Sequence, residues 1–139
     1  MVQGWIIALM LLIGVPSASG QLFEADSKQY GHSKMDIVVK EVERRDRSSV
    51  MDITISKVGS SVGSSFFLLC SLRKLARLRG SFRYIVKIEE IPKRGQMLVG
   101  FLRTPEETLS AIDPAFAGLD PRTAVIDLEQ FAAICDLSK

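Results

Sequence analysis

Residues 59–63 read Gly59-Ser60-Ser61-Val62-Gly63. This is a G-x-S-x-G pattern, the form that presents a nucleophilic serine on a sharp turn between a strand and a helix. A strand-like run precedes it and a helix-like run follows. Chemistry at such an elbow needs a base, and in α/β-hydrolases a histidine follows the serine along the chain. The only histidine, His32, comes before Ser61. Lys57 is the nearest candidate for a Ser-Lys dyad, but it stands across a turn with no second feature beside it. The same residues read more simply as a junction. Gly59 turns the chain, one of Ser60, Ser61 and Ser64 caps the helix, and Gly63 lets that end approach the sheet. Backbone amides at a helix start also attract anions. Gly59, Ser60, Ser61 and Gly63 are therefore a candidate anion-binding junction, although the lysine of a P-loop is absent.

The two cysteines, Cys70 and Cys135, are the next residues with chemistry. On a helical wheel Cys70 sits off the main apolar face, among Phe66, Arg73, Lys74 and Arg77. A free thiol there would have cationic neighbours that favour the thiolate. A disulfide to Cys135 explains more. It would lay the last helix across the basic side of the long one, where Glu129 and Asp136 would meet the arginines. Two cysteines in an exported chain also favour one bridge.

Arg73, Lys74, Arg77, Arg79 and Arg83 form a basic cluster suited to an anionic partner, either an anionic envelope component or an acidic protein. Residues 21–103 hold 16 Lys/Arg against 9 Asp/Glu, whereas residues 104–139 hold 2 against 7. Such asymmetry fits an anionic ligand, or two parts of the chain that pack together. Nucleic acid is not an expected partner of an exported protein. One histidine, two distant cysteines and scattered carboxylates make no zinc or iron set. No cofactor motif is present.

The elements that must position these residues follow from periodicity. Met35–Glu43 is rich in valine and isoleucine. In 50–58, Met51, Ile53 and Ile55 alternate with Asp52, Thr54 and Ser56. Both runs read as strands of an antiparallel hairpin. The period then changes to 3.6 over about Ser64–Arg79. There Leu68, Leu72, Leu75, Ala76 and Leu78 share a face, with Arg73, Lys74 and Arg77 opposite. A second hairpin pairs 81–90 with 97–103. The first of these puts Phe82, Tyr84, Val86 and Ile88 on one face. The second is apolar on both faces, which predicts a more central strand, covered on both sides or lying at an interface; the interface alternative makes a homodimer through the sheet a candidate. Thr104-Pro105-Glu106-Glu107 predicts a helix start. Residues 113–123 read as a loop with two Asp-Pro steps, and Asp127 opens a last helix through 128–137.

The order is β-β-α-β-β-α-α. It predicts an α+β fold with a mainly antiparallel four-stranded sheet and the long helix packed on one face. Residues 1–20 carry no charged side chain and join an eleven-residue apolar run, Trp5–Val15, to small residues ending in Gly20. That is the layout of a secretory signal peptide and too short to span a bilayer. Residues 21–34 read as a mobile N-terminal arm, and 35–139 as a single small domain. The chain is thus expected to be exported, to the periplasm or the medium, as a non-catalytic binding or interaction domain. The alternative is a small hydrolase or thiol enzyme using Ser61 or Cys70.

Overall fold

The computed structural model describes residues 21–30 and 34–137. The leader expected over 1–20 lies outside the described residues, as does His32. Among the described residues, α-helices and strands follow one another in this order. They are β1 (Glu24–Asp26), β2 (Asp36–Arg44), β3 (Ser48–Lys57), α1 (Ser61–Gly80), β4 (Tyr84–Glu89), β5 (Gln96–Leu102), α2 (Leu109–Ile112), α3 (Pro121–Ala124), β6 (Ile126–Asp127) and α4 (Ala132–Leu137). The strands form one antiparallel sheet in the order β1-β2-β3-β5-β4-β6. The α+β class holds, with six strands in place of the four expected.

The two added strands are short and lie at the edges. The segment read as an N-terminal arm supplies β1, which pairs Glu24–Asp26 with Lys40–Val38. Phe23, Ala25 and Ser27 are buried there. The Ser27 hydroxyl donates to Met35 O and accepts from Ile37 N–H, tying the segment to the start of β2. Three buried residues among polar ones left too little periodicity to show a strand. β6 has only two residues, paired with Tyr84 and Ile85.

One face of the sheet packs against α1. Ile37, Val39, Met51, Ile85, Met97, Val99 and Phe101 meet Phe67, Leu72, Leu75 and Ala76 of the helix in one core, completed by Phe82 and Leu128. Each large side chain buried in this way contributes about 1.5–3 kcal/mol of transfer free energy. The opposite face packs Val50, Val86, Leu98 and Leu102 against Leu109, Ile112 and Phe116. β5 lies between β3 and β4 and sends alternate side chains into both cores. Its two apolar faces are therefore covered within the chain, which removes the reason for expecting a dimer through the sheet. Tyr84, Val86 and Ile88 share the second core as expected, but Phe82 precedes the strand and packs with the first.

α1 begins at Ser61 rather than Ser64, because Ser60 serves as the cap and its Oγ accepts from Gly63 N–H at 2.9 Å. The face of α1 is also rotated from the one the wheel gave: Leu78 is 68% exposed, whereas Arg73 is only 5% exposed. The helix expected at Thr104 does not form, since α2 starts at Leu109. Glu107 still reaches back to the Arg103 and Thr104 amides, but its carboxylate also holds Arg47 at 2.9 Å. That ion pair ties the segment to the sheet as a turn. Farther on, the two Asp-Pro steps make short helical turns instead of open loop. Asp113 caps the 3-10 turn Pro114–Phe116 through Ala115 N–H, and Asp120 caps α3 through Arg122 N–H. Asp127 repeats the device on Glu129 N–H, ahead of the 3-10 turn Leu128–Phe131 and α4.

Candidate binding site

Gly59 has φ +73°, and a Cβ there would lie 3.1 Å from Lys34 O, so glycine suits this turn both conformationally and sterically. Ser60 Oγ is occupied by the cap. No side chain among the described residues hydrogen-bonds Ser61 Oγ, and neither cleft described below includes Ser61. Gly63 lies against the Ser60 hydroxyl and Met35. The junction residues thus come together as a strand-to-helix turn. Of the helix-start amides, Gly63 N–H is bonded to Ser60 Oγ and Ser64 N–H to Ser60 O.

Cys70 and Cys135 are joined in a disulfide that ties α4 to α1, with Cα atoms 5.4 Å apart. Cys70 is therefore not a free thiol, and among the described residues no cysteine is free. The bridge closes a sequence separation of 65 residues. In the chain-entropy account that stabilises the fold by about 4 kcal/mol, less any strain.

The five basic residues do not form one patch. Arg73 is buried against the C-terminal segment, its Nη1 3.2 Å from Asp136 and its Nε 3.5 Å from Glu129. Burial would lower its pKa, but these two carboxylates outweigh burial and raise it. Lys74 donates to the Tyr30 hydroxyl and stands over that ring. Arg77 is 4.0 Å from Glu129. Arg79 turns the other way, donating to Ser48 O, Ser49 Oγ, Arg45 O and Asp46 O across the β2–β3 turn. Burial, then the nearby Arg44 charge, lowers its pKa. Arg83 forms a two-pronged pair with Asp127, both contacts at 2.9 Å. That hydrogen bonding raises the Arg83 pKa and lowers that of Asp127. The acidic C-terminal part thus meets the basic helix, and intramolecular packing accounts for much of the uneven charge.

Two features escaped the sequence reading. Glu41 is fully buried and accepts from Phe23 N–H, Arg44 and Ser49 Oγ. Burial would raise its pKa, but those hydrogen bonds outweigh burial and hold it below the ordinary 4.5. The signal was its parity: Ile37, Val39 and Glu41 share the inward face of β2. Val42, the extra residue of a bulge between Glu41 and Glu43, breaks that alternation directly afterwards.

The second feature is a cleft of about 620 Å³ on the α1 side of the sheet. Its floor is Ile53, Ile55 and Met97, its helix wall Leu68, Leu69 and Leu72. The C-terminal segment closes it with Ile126, Gln130 and Phe131. Lys87, Glu89, Glu90 and Asp127 stand among the lining residues. Most of these charges are answered in place, since Lys87 pairs with Glu89 at 2.8 Å and Asp127 with Arg83. Glu90 accepts from Gly95 N–H. A smaller cleft of about 200 Å³ lies beside the disulfide, with Tyr30, Phe66 and Ile134 among its lining residues. The sequence held the components of the larger cleft in the excess of apolar residues at 68 and 69. It did not show that β6 and the 3-10 turn after it would stand far enough from β3 to leave an opening. Among the described residues no group of three or more His, Cys, Asp or Glu is placed to hold a metal. In comparisons with known proteins, no family model, curated protein or solved structure matches this chain, so its geometry alone carries the functional reading.

Proposed function

We propose that this chain is an exported, non-catalytic binding domain and that the larger cleft receives a small apolar or amphipathic molecule. The observation that carries the reading is the cleft itself. Its volume falls within the range of about 300–1,000 Å³ usual for ligand sites, with an apolar interior and polar groups around it. It supports binding better than the basic side of α1 does, because the cations there already have partners. Export rests on the leader-like residues 1–20, together with the disulfide, which persists in oxidising compartments. Among the described residues no helix is long and apolar enough to cross a membrane.

The test uses 1-aminoanthracene, a neutral polycyclic fluorophore, and the variant Leu69→Trp. Leu69 lines the cleft and is partly exposed, so an indole there fills the opening while the core below is kept. The expected result is saturable fluorescence enhancement with the parent protein, lost in a variant whose circular dichroism and melting are unchanged. Equal enhancement by both proteins would place the probe elsewhere and end the proposal.

A further inference from the structure

β3 is longer than the strand beside it. Its pairing with β5 runs from Ser48↔Gly100 to Asp52↔Gln96, and one further bond joins Ile53 N–H to Gly95 O. Beyond that point β3 continues to Lys57 while the chain on the β5 side turns away through 90–95. Backbone groups alternate sides along a strand. The side that receives Ile53 N–H is therefore also the side toward which Ile55 directs its N–H and C=O, with no strand of the described chain next to it. Thr54–Lys57 are exposed. The Ile55 side chain, 48% exposed, lines the cleft together with Ile53.

An unpaired strand edge and an apolar cleft thus adjoin at the same residue. We infer that the cleft takes an extended peptide, which adds to the sheet beside Ile55, past the Ile53–Gly95 bond and in line with β5, and lowers alternate apolar side chains onto Ile53, Ile55 and Met97. Strand addition uses this division of labour: main-chain hydrogen bonds give affinity and a pocket for alternate side chains gives selectivity. Backbone pairing, rather than charge, is the recognition. The lining cation and two of the acids are already paired. Lys57, Lys93 and Arg94 are exposed close by in sequence, but a capped peptide of serine and valine carries no charge for them to attract. The inference rests on the binding reading above and names its ligand class.

The experiment uses the full chain with its disulfide intact, and a capped peptide alternating serine and valine. Two further peptides carry N-methyl groups on the valine amides or on the serine amides. Binding is followed by amide spectra and hydrogen exchange. Addition to the edge predicts at least tenfold slower exchange of the Ile55 amide. It also predicts that one methylated series binds at least tenfold more weakly while the other binds as the parent peptide does, since only one set of alternate amides faces β3. Raising the salt concentration should change affinity less than twofold. If both methylated series bind alike, or affinity falls steeply with salt, strand addition is wrong. If 1-aminoanthracene binds and the peptide does not, strand addition falls and the cleft reading stands. If neither binds, both fall.

Discussion

The two faces of the sheet are built to different tolerances. Around Gly100, on the face covered by α2 and the turn at Phe116, side chains meet without room to spare. A Cβ added at Gly100 would lie 2.5 Å from the Phe116 ring and 2.8 Å from Ile112. Phe116 and Leu102 have no exposure at all. On the face covered by α1, the core is equally dry around Leu75, Val99 and Phe101, but toward the far end of β3 it opens into the cleft. The same kinds of side chain line both regions, so composition does not make the difference. It lies in what is laid over them. A short helix and its turn can settle directly onto the sheet. The long helix is held at one end by the β2–β3 turn through Arg79 and along its side by α4. The first core is closed around Gly100 and the second opens at one end, where the proposal places function.

The contrast is sharpened most by truncation. Phe116→Ala should cost about 3–5 kcal/mol, read as a shift of the urea midpoint at constant slope, whereas Leu69→Ala should cost under about 1 kcal/mol. Comparable losses at the two sites would mean that the cleft is as well packed as the far face. Removing the bridge with the double variant Cys70→Ser/Cys135→Ser should cost about 4 kcal/mol in the chain-entropy account. It should also loosen the wall that carries Phe131, seen as faster hydrogen exchange in α4 with little change at Phe116. Gly100→Ala should cost about 1–3 kcal/mol by overpacking, since the new methyl has to displace a ring and a branched side chain. A neutral result there would break the claim of tight packing.

Acid provides a smaller effect with a definite sign. The Glu41 carboxyl is held below its ordinary 4.5 in the folded protein. Its contribution is therefore complete above that value and is lost as the pH falls through the lower folded value. Asp127, Asp113 and Glu107 are shifted in the same direction. Melting temperature should be level near neutrality and fall below about pH 4.5. Glu41→Gln should flatten that fall while lowering the plateau. An unchanged acid limb in this variant would show that the Glu41 network is not responsible.

Much of this fold was legible in local pattern. The hairpin of β2 and β3, the helix after Gly59, the centrality of β5 and the bridge from Cys70 to Cys135 all follow from periods, turn residues and cysteine parity. Hidden were the features set by tertiary partners. β1 has too few buried residues for its alternation to show. The Thr104 start has every local mark of a helix, yet Glu107 is drawn to Arg47, a partner far away in sequence. The pairing of Arg73 with Asp136 and Glu129 was legible from the bridge, but not that it leaves Arg73 only 5% exposed. The cleft was least legible, because an opening depends on how far apart two packed elements are held. No single residue type records that distance.

The most direct test of the central claim is an amide chemical-shift map of the full chain titrated with 1-aminoanthracene. The account predicts saturable shifts centred on Ile53, Ile55, Leu68, Leu69 and Phe131, with Gly100 and Phe116 unmoved. Shifts centred on the Phe116 face, or spread over the surface without saturation, would contradict it.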